Sequence, residues 1–260
     1  MIREGQSKFL FAELWSRVYK RLHEWWFALR FGVLSKPAPP VDPQMRLETN
    51  HPVAFESPDH LMPWGTSRDN NTNKRFVTLL TRRVRQEFPN TTWRYLDLGC
   101  SGGQLVKDFC DLGWVGIGLE GSDFSLKHRR ANWATMAGTH LFTCDITKPF
   151  QLNSSAAPAR FHLITMWEVL EHIHERDLPQ LFDNVIKHLE PGGYFIASTS
   201  STPDIHDGVD LHQTKWPNAQ WRAMIAKQHP ELEWAETSMK YYHFVRLNQD
   251  FSYLTYRRKR

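Results

Sequence analysis

The chain opens on apolar residues spaced three and four apart. Leu10, Leu14, Val18, Leu22, Trp25 and Leu29 recur at helical intervals, and Phe11, Trp15 and Trp26 widen the stripe. Lys8, Arg17, Lys20, Arg21 and Arg30 occupy much of the remaining surface, so residues 7–31 predict a basic amphipathic helix. Gly32 and then Pro37, Pro39, Pro40 and Pro43 stop it and begin an extended linker. From His51 to Asn73 the periodicity is lost among turn formers and polar groups, a stretch long enough to predict a binding loop or lid. It returns in a helix over about 73–87, where Phe76, Leu79, Leu80 and Val84 share one face.

Beyond that helix, short apolar runs alternate with helical ones. Strands are expected over 93–98, 115–119, 140–143, 161–166 and 194–198. Helices are expected from about Gly103, from about Phe124, over 178–189 and near 218–227. Alternation with short links demands parallel strands and right-handed crossovers, hence a doubly wound α/β sheet. Two late runs, 241–247 and 251–257, are separated only by Asn248, Gln249 and Asp250. That link is too short for a crossover, so the pair must be antiparallel. The expected fold is a seven-stranded, mostly parallel sheet with an antiparallel C-terminal hairpin, preceded by the amphipathic helix. The chain then divides into helix and linker (1–45), a substrate-side loop or lid (46–72) and the sheet-bearing domain (73–260).

Composition narrows this picture only slightly. At 260 residues the chain suits one α/β domain with extensions, and 41% hydrophobic and 23% charged residues exclude a disordered or fibrous class. Eleven tryptophans, Trp216 and Trp221 among them, point to flat contact surfaces. The net charge of +4 is scattered over Arg82, Arg83 and Arg85, Lys127, Arg129 and Arg130, and Arg257 to Arg260, which permits nucleic acid without implying it. Cys100, Cys110 and Cys144 form no paired motif, which argues for a reducing compartment and against structural zinc. No apolar run reaches the ~20 residues of a membrane span, and no signal-peptide pattern is present, so the expected location is cytoplasmic. Residues 7–31 can rest on the inner face of a membrane, although packing on the domain or on a second copy, as a homodimer, is the plainer expectation.

The candidate chemistry sits at strand ends. The first sheet strand runs into Asp97, Leu98, Gly99, Cys100, Ser101, Gly102 and Gly103 before a helix, a glycine turn that lets backbone approach a ligand. A dinucleotide fingerprint needs glycine at 101 and 104, where Ser101 and Gln104 stand, and Asp97 would repel a pyrophosphate while attracting an ammonium group. A nicotinamide dehydrogenase is therefore disfavoured. Glu120, followed by Gly121, ends the next strand where a carboxylate can accept bonds from two ribose hydroxyls. Asp145, followed by Ile146, is placed to accept from an adenine amino group.

As a set, these residues resemble the class I S-adenosylmethionine-dependent methyltransferases, whose Rossmann-like sheet also ends in an antiparallel strand. The resemblance covers about residues 72–257 and includes Trp167-Glu168-Val169-Leu170-Glu171-His172-Ile173. It implies S-adenosylmethionine as cofactor, with Asp97 and the glycine turn at its methionine end, Glu120 at the ribose, Asp145 at the adenine, and Met166 and Trp167 flanking it. Ser101 replaces a common glycine, which puts close backbone approach there in doubt.

On the reacting side, Glu168, Glu171 and His172 are spaced so that one helical turn presents all three, and His212 follows the fifth strand. They can be structural, or His172 or His212 can take the proton of an acceptor hydroxyl. They can also hold a divalent metal, the set Glu168, Glu171, His172 and His212 resembling that of small-RNA 2′-O-methyltransferases. For the acceptor, Phe55 to His60, Trp64 to Thr66 and Arg68 to Asn70 mix polar groups with flat aromatics. Together with the Trp-Glu-Val-Leu-Glu-His-Ile motif, this resembles bacterial methyltransferases of cell-surface glycan assembly and implies a sugar or glycan acceptor. RNA 2′-O-methylation and a non-catalytic binding partner of the same fold are the alternatives.

Overall fold

The computed structural model describes Leu22, Trp26 and residues 44–155, 157–235 and 251–260. The predicted N-terminal helix otherwise lies outside the described residues. Both Leu22 and Trp26 are helical and exposed.

Seven strands form the central sheet: β2 (Arg94–Leu98), β3 (Val115–Glu120), β4 (Leu141–Thr143), β7 (Phe161–Met166), β8 (Leu189–Ser200), β11 (Leu232–Trp234) and β12 (Phe251–Arg258). Their spatial order is β11-β12-β8-β7-β2-β3-β4. β2, β3, β4, β7 and β8 are mutually parallel, and β12 runs antiparallel to both β8 and β11. Strands β3 and β7 are buried at every position, as expected of parallel strands covered by helices on both faces. The sheet order reverses at β2, with β3 to one side and β7 to the other, which opens a crevice at the carboxyl ends of these strands.

The helix Lys74–Glu87 begins where Asn73 caps it by accepting from the Phe76 N–H, and buries Phe76, Val77, Leu80 and Val84. Those residues join Tyr95, Phe109, Trp114 and Tyr194 in the core on one face of the sheet. On the other face, the helix Leu178–His188 buries Leu181, Phe182 and Val185 against β7 and β8.

The first strand of the expected hairpin, 241–247, lies outside the described residues; β12 is antiparallel as expected and pairs with β8 and β11. Three other expectations need correction. The stretch from 46 to 72 is not wholly irregular. It begins in β1 (Met45–Thr49), paired antiparallel with β5 (Phe150–Ser154), and carries the short helices Pro58–Leu61 and Trp64–Arg68. Trp221 is no contact surface but fully buried core, with Trp216 packed against it. Finally, Glu168, Glu171 and His172 do not share a helical turn. Glu168 adopts a left-handed backbone (φ +53°), and only Leu170–His172 forms a turn, of the tighter 3-10 kind.

Candidate active site

The glycine turn follows β2 at the centre of the crevice. Gly99 has φ +80°, and a β-carbon there would lie 2.4 Å from Val169 Cγ2, so no other residue fits. Ser101 takes the same left-handed region at φ +46° although it is not glycine. Its environment supports this: the Ser101 N–H donates to Glu120 Oε2 (2.7 Å), and its hydroxyl donates to the Asp69 carbonyl (2.8 Å). Serine at position 101 therefore leaves the turn intact.

Two carboxylates are buried beside the turn. Asp97 Oδ1 accepts from the Thr165 hydroxyl (2.6 Å), which must in turn accept from Tyr95 (2.7 Å), because its single proton is already given. Burial raises Asp97 to about 7, against the lowering effect of these hydroxyls, and the nearby Glu120 charge adds to the rise. Glu120 accepts from the Ser101 and Ser122 N–H groups and, at 3.5 Å, from the Thr66 hydroxyl. Burial raises its pKa as well. Among the described residues neither carboxylate has an ion-pair partner. Two buried acids without a cation in direct contact are costly, and they fit a ligand that brings positive charge and hydroxyl donors, as an S-adenosyl sulfonium with an α-ammonium does.

The other expected cofactor residues are placed less uniformly. Gly102 and Gly103 line the turn, and Cys100 is buried with its sulfur against Gly118. The Gly121 carbonyl accepts from the Ala54 N–H (2.9 Å). Asp145 Oδ1 accepts from the N–H and hydroxyl of Thr147, so that oxygen serves its own turn. Ile146 and Met166 are core residues, and Trp167 meets Phe76 edge-on at 5.1 Å.

A cover closes over this edge. The Asn70 side chain accepts from the Gln104 N–H (3.1 Å) and fills the space above Gly102, while Arg130 donates to the Asp69 carbonyl and Ser101 hydroxyl. Thr66, Asp69 and Asn70 read in sequence as acceptor-side polar groups, yet they sit against the glycine turn and Glu120. Arg130, Thr165 and Ser122 carried no signal in the sequence, because their roles depend on contacts between distant segments.

The acceptor side lies beyond β7 and β8. Glu171, His172 and His212 each place one donor atom within 4.8 Å of the others. Glu168 is excluded from this group: it accepts from the Ser198 hydroxyl (2.6 Å) and its own N–H donates back to Ser198 (3.0 Å). Glu171 Oε1 accepts from the Ser200 N–H (3.0 Å), whereas buried Oε2 has no hydrogen-bond partner. Burial, reinforced by the Glu168 charge, raises Glu171 and favours its neutral acid.

His172 Nδ1 lies 3.0 Å from Asp59 Oδ2. The angle is poor for a directed hydrogen bond, so the contact is best described as an ion pair. Burial alone would lower His172, but Asp59, aided by Glu171 and Asp204, outweighs it and raises the ring to about 9. Burial lowers His212, and the His172 charge adds to this against the raising effect of the Thr202 carbonyl. His212 Nδ1 is 2.5 Å from that carbonyl, to which it donates, leaving Nε2 as the basic nitrogen. Glu171, His172 and His212 together offer the mixed oxygen and nitrogen donors of a divalent-metal site, and binding an ion there would displace the protons that burial and Asp59 favour on Glu171 and His172.

Comparison with known proteins agrees with this geometry. A family model described as a methyltransferase domain matches residues 68–243. A ubiquinone biosynthesis O-methyltransferase from Thiobacillus denitrificans is 28% identical over 126 residues, which are 46% of this chain and 50% of that protein. The match thus spans about half the length of that curated relative. Among solved structures, an S-adenosylmethionine-dependent methyltransferase from Clostridium acetobutylicum aligns with a TM-score of 0.51 at 15% identity, over 74% of this chain and 94% of its own. A plantazolicin methyltransferase aligns with a TM-score of 0.52 at 12% identity, over 80% and 93% respectively. The family model covers well over half of the chain, and the sheet places its glycine turn and buried carboxylates at one edge. The chain therefore belongs to the methyltransferase-domain family and is a class I S-adenosylmethionine-dependent methyltransferase.

Proposed function

We propose that this enzyme transfers the methyl group to oxygen, on a sugar hydroxyl of a glycan or glycolipid precursor, with His212 as the general base. The observation that carries the reading is the placement of the two histidines. Their rings meet edge-on at 4.7 Å, His172 paired with the Asp59 carboxylate and His212 donating from Nδ1 to the Thr202 carbonyl, which leaves its Nε2 to accept a proton. A neutral hydroxyl is a poor nucleophile, so a base that removes its proton as the C–O bond forms lowers the barrier. The cofactor supplies an electrophilic methyl on a sulfonium. Asp97 holds the methionine end of that ligand and Glu120 its ribose, and alignment of acceptor oxygen, methyl and sulfur supplies much of the rate.

The mouth of the site supports a sugar-bearing, amphipathic acceptor. Phe55, Leu61 and Trp64 of the cover are exposed, as are Ile205 and Val209 on the hairpin of β9 (Ile205–His206) and β10 (Val209–Asp210). Trp64 does not offer a free face, since Arg68 lies over its ring at 3.3 Å and His206 stacks on it at 4.2 Å. Phe55 presents the more accessible ring. A membrane carrying such an acceptor also suits the amphipathic stripe of residues 7–31, a reading that vesicle co-sedimentation tests. Among the described residues no helix is long and apolar enough to cross a membrane.

RNA fits less well. Of the arginines that such a surface would use, Arg83 is paired with Glu87 (2.9 Å), and Arg85 lies over Trp93 and donates to the Leu112 carbonyl. The test is transfer of labelled methyl to UDP-glucose, UDP-galactose, GDP-mannose and a glycan extract. His212→Gln should lower kcat by roughly 10²-fold or more while calorimetric cofactor affinity stays the same. If no sugar acceptor is labelled while an RNA is, the acceptor assignment fails.

A further inference from the structure

Trp64 is 39% exposed and belongs to neither core cluster, yet its ring carries two partners. Arg68, one turn on in the same short helix, lays its guanidinium over the ring and fixes the indole locally. His206 stacks on the ring with the two planes 27° apart, and it comes from the β9–β10 hairpin in the loop after β8. A tryptophan so placed serves a contact between segments rather than burial. On the cofactor side its helix is seated by the Thr66 hydroxyl on Glu120 and by the Asp69 carbonyl, which accepts from the Ser101 hydroxyl and the Arg130 guanidinium. On the acceptor side, His206 Nε2 lies 2.9 Å from Asp204 Oδ1, and the Asp204 N–H donates to Asp210 Oδ1 (3.1 Å). That same oxygen accepts from the His212 N–H (3.0 Å). A series of contacts thus runs from Glu120 through Trp64 to the backbone of His212.

We propose that Trp64 is a positioning residue: its stack on His206 fastens the loop bearing His212 to the cover, so that a cover seated on bound cofactor also orders the acceptor side. The inference rests on the reading of this loop as the acceptor side and adds the residue that ties its order to the cofactor. The other contact of the cover with this edge, Asp59 with His172, reaches the turn after β7, whereas Trp64 reaches the loop after β8. Contacts in series transmit an effect only when both ends bias one element with two arrangements. Here that element is the cover and hairpin, fastened or apart. A single stack at the surface contributes little to global stability, which suits a contact that opens to admit ligands and closes again.

The test is hydrogen exchange on the full chain with and without saturating S-adenosylhomocysteine, beside methyl transfer to whichever nucleotide sugar is labelled. In the parent the ligand should slow exchange in residues 58–70 and also in 203–212. In Trp64→Ala it should slow exchange in 58–70 alone. The same variant should raise KM for the acceptor roughly three- to ten-fold, and Kd for S-adenosylhomocysteine by less, because the cover keeps its other anchors. Trp64→Phe, which keeps a ring for the stack, should restore most of both. Trp64→Ala/His206→Ala should behave as either single variant, since each removes the same contact. The exchange measurement needs no acceptor and decides the fastening by itself. Protection of 203–212 that survives in Trp64→Ala, or that is missing from the parent, overturns the positioning role, and so do additive losses in the double variant. Protection lost in Trp64→Ala with an unchanged acceptor KM upholds the fastening and overturns instead the reading of this loop as the acceptor side.

Discussion

The cofactor edge and the acceptor edge both bury ionisable side chains, and they resolve the cost in opposite ways. At the cofactor edge two acids, Asp97 and Glu120, are hydrogen-bonded by hydroxyl and N–H donors and, among the described residues, have no ion-pair partner in direct contact, Arg130 acting on Glu120 only from beyond contact range. Burial raises both pKa values, and a ligand that brings positive charge would offset that cost. At the acceptor edge Asp59 pairs with His172, and Glu171, His172 and His212 each bring one donor atom within 4.8 Å of the others. The first arrangement leaves its acids without an ion-pair partner, and the second sets a carboxylate against an imidazole. Binding and proton transfer need these different electrostatic settings within one crevice.

The largest effect that could break this contrast comes from removing charge at the cofactor edge. Hydrogen bonds to charged groups contribute about 1.5–3 kcal/mol each. The double variant Asp97→Asn/Glu120→Gln should therefore weaken cofactor binding by roughly 10²- to 10⁴-fold, as read by calorimetry on protein of unchanged circular dichroism. Affinity equal to the parent's would mean that these acids do not meet the ligand.

A somewhat smaller effect sharpens the comparison through pH. Asp97 in the free protein titrates near 7. Below that pH it is mostly neutral, so binding a cationic ligand must expel its proton. Cofactor affinity should then rise with pH up to about 7 and level off above it, with a limiting slope of about ten-fold per unit on the acid side. Calorimetry in buffers of differing ionisation enthalpy should detect proton release near pH 6, and Asp97→Asn should abolish it. A pH-independent affinity in the parent would remove Asp97 from the contacts.

The smallest effect concerns the cover. Thr66→Val keeps the shape and loses the 3.5 Å bond to Glu120, a neutral donor at the long limit of hydrogen bonding. A cost of about 0.5–1 kcal/mol, or a few-fold in cofactor Kd, is expected. Faster hydrogen exchange in residues 58–68 should accompany it. No change in either would mean that the cover is held by its other anchors alone.

Much of the scaffold was legible from local pattern. Runs such as Phe161–Met166, buried throughout, read as interior parallel strands, and the turn from Asp97 to Gly103 announced a ligand site at a strand end. The acceptor edge was less legible. Glu168 looked one helical turn from Glu171, yet its left-handed backbone turns it to Ser198. Thr66 and Asn70 looked like acceptor groups and proved to face Glu120 and the glycine turn.

By itself, the order of residues determined the sheet, its crevice and the placing of two acids at the strand ends, because periodicity and strand-end chemistry are local properties carried by neighbouring positions. Only the folded chain decided the surroundings of the two histidines. They depend on Asp59 arriving from a separate segment at 3.0 Å, on the Thr202 carbonyl taking one nitrogen of His212, and on burial. Electrostatic state is set by distance and exclusion of water between residues remote in sequence, and no spacing along the chain encodes either.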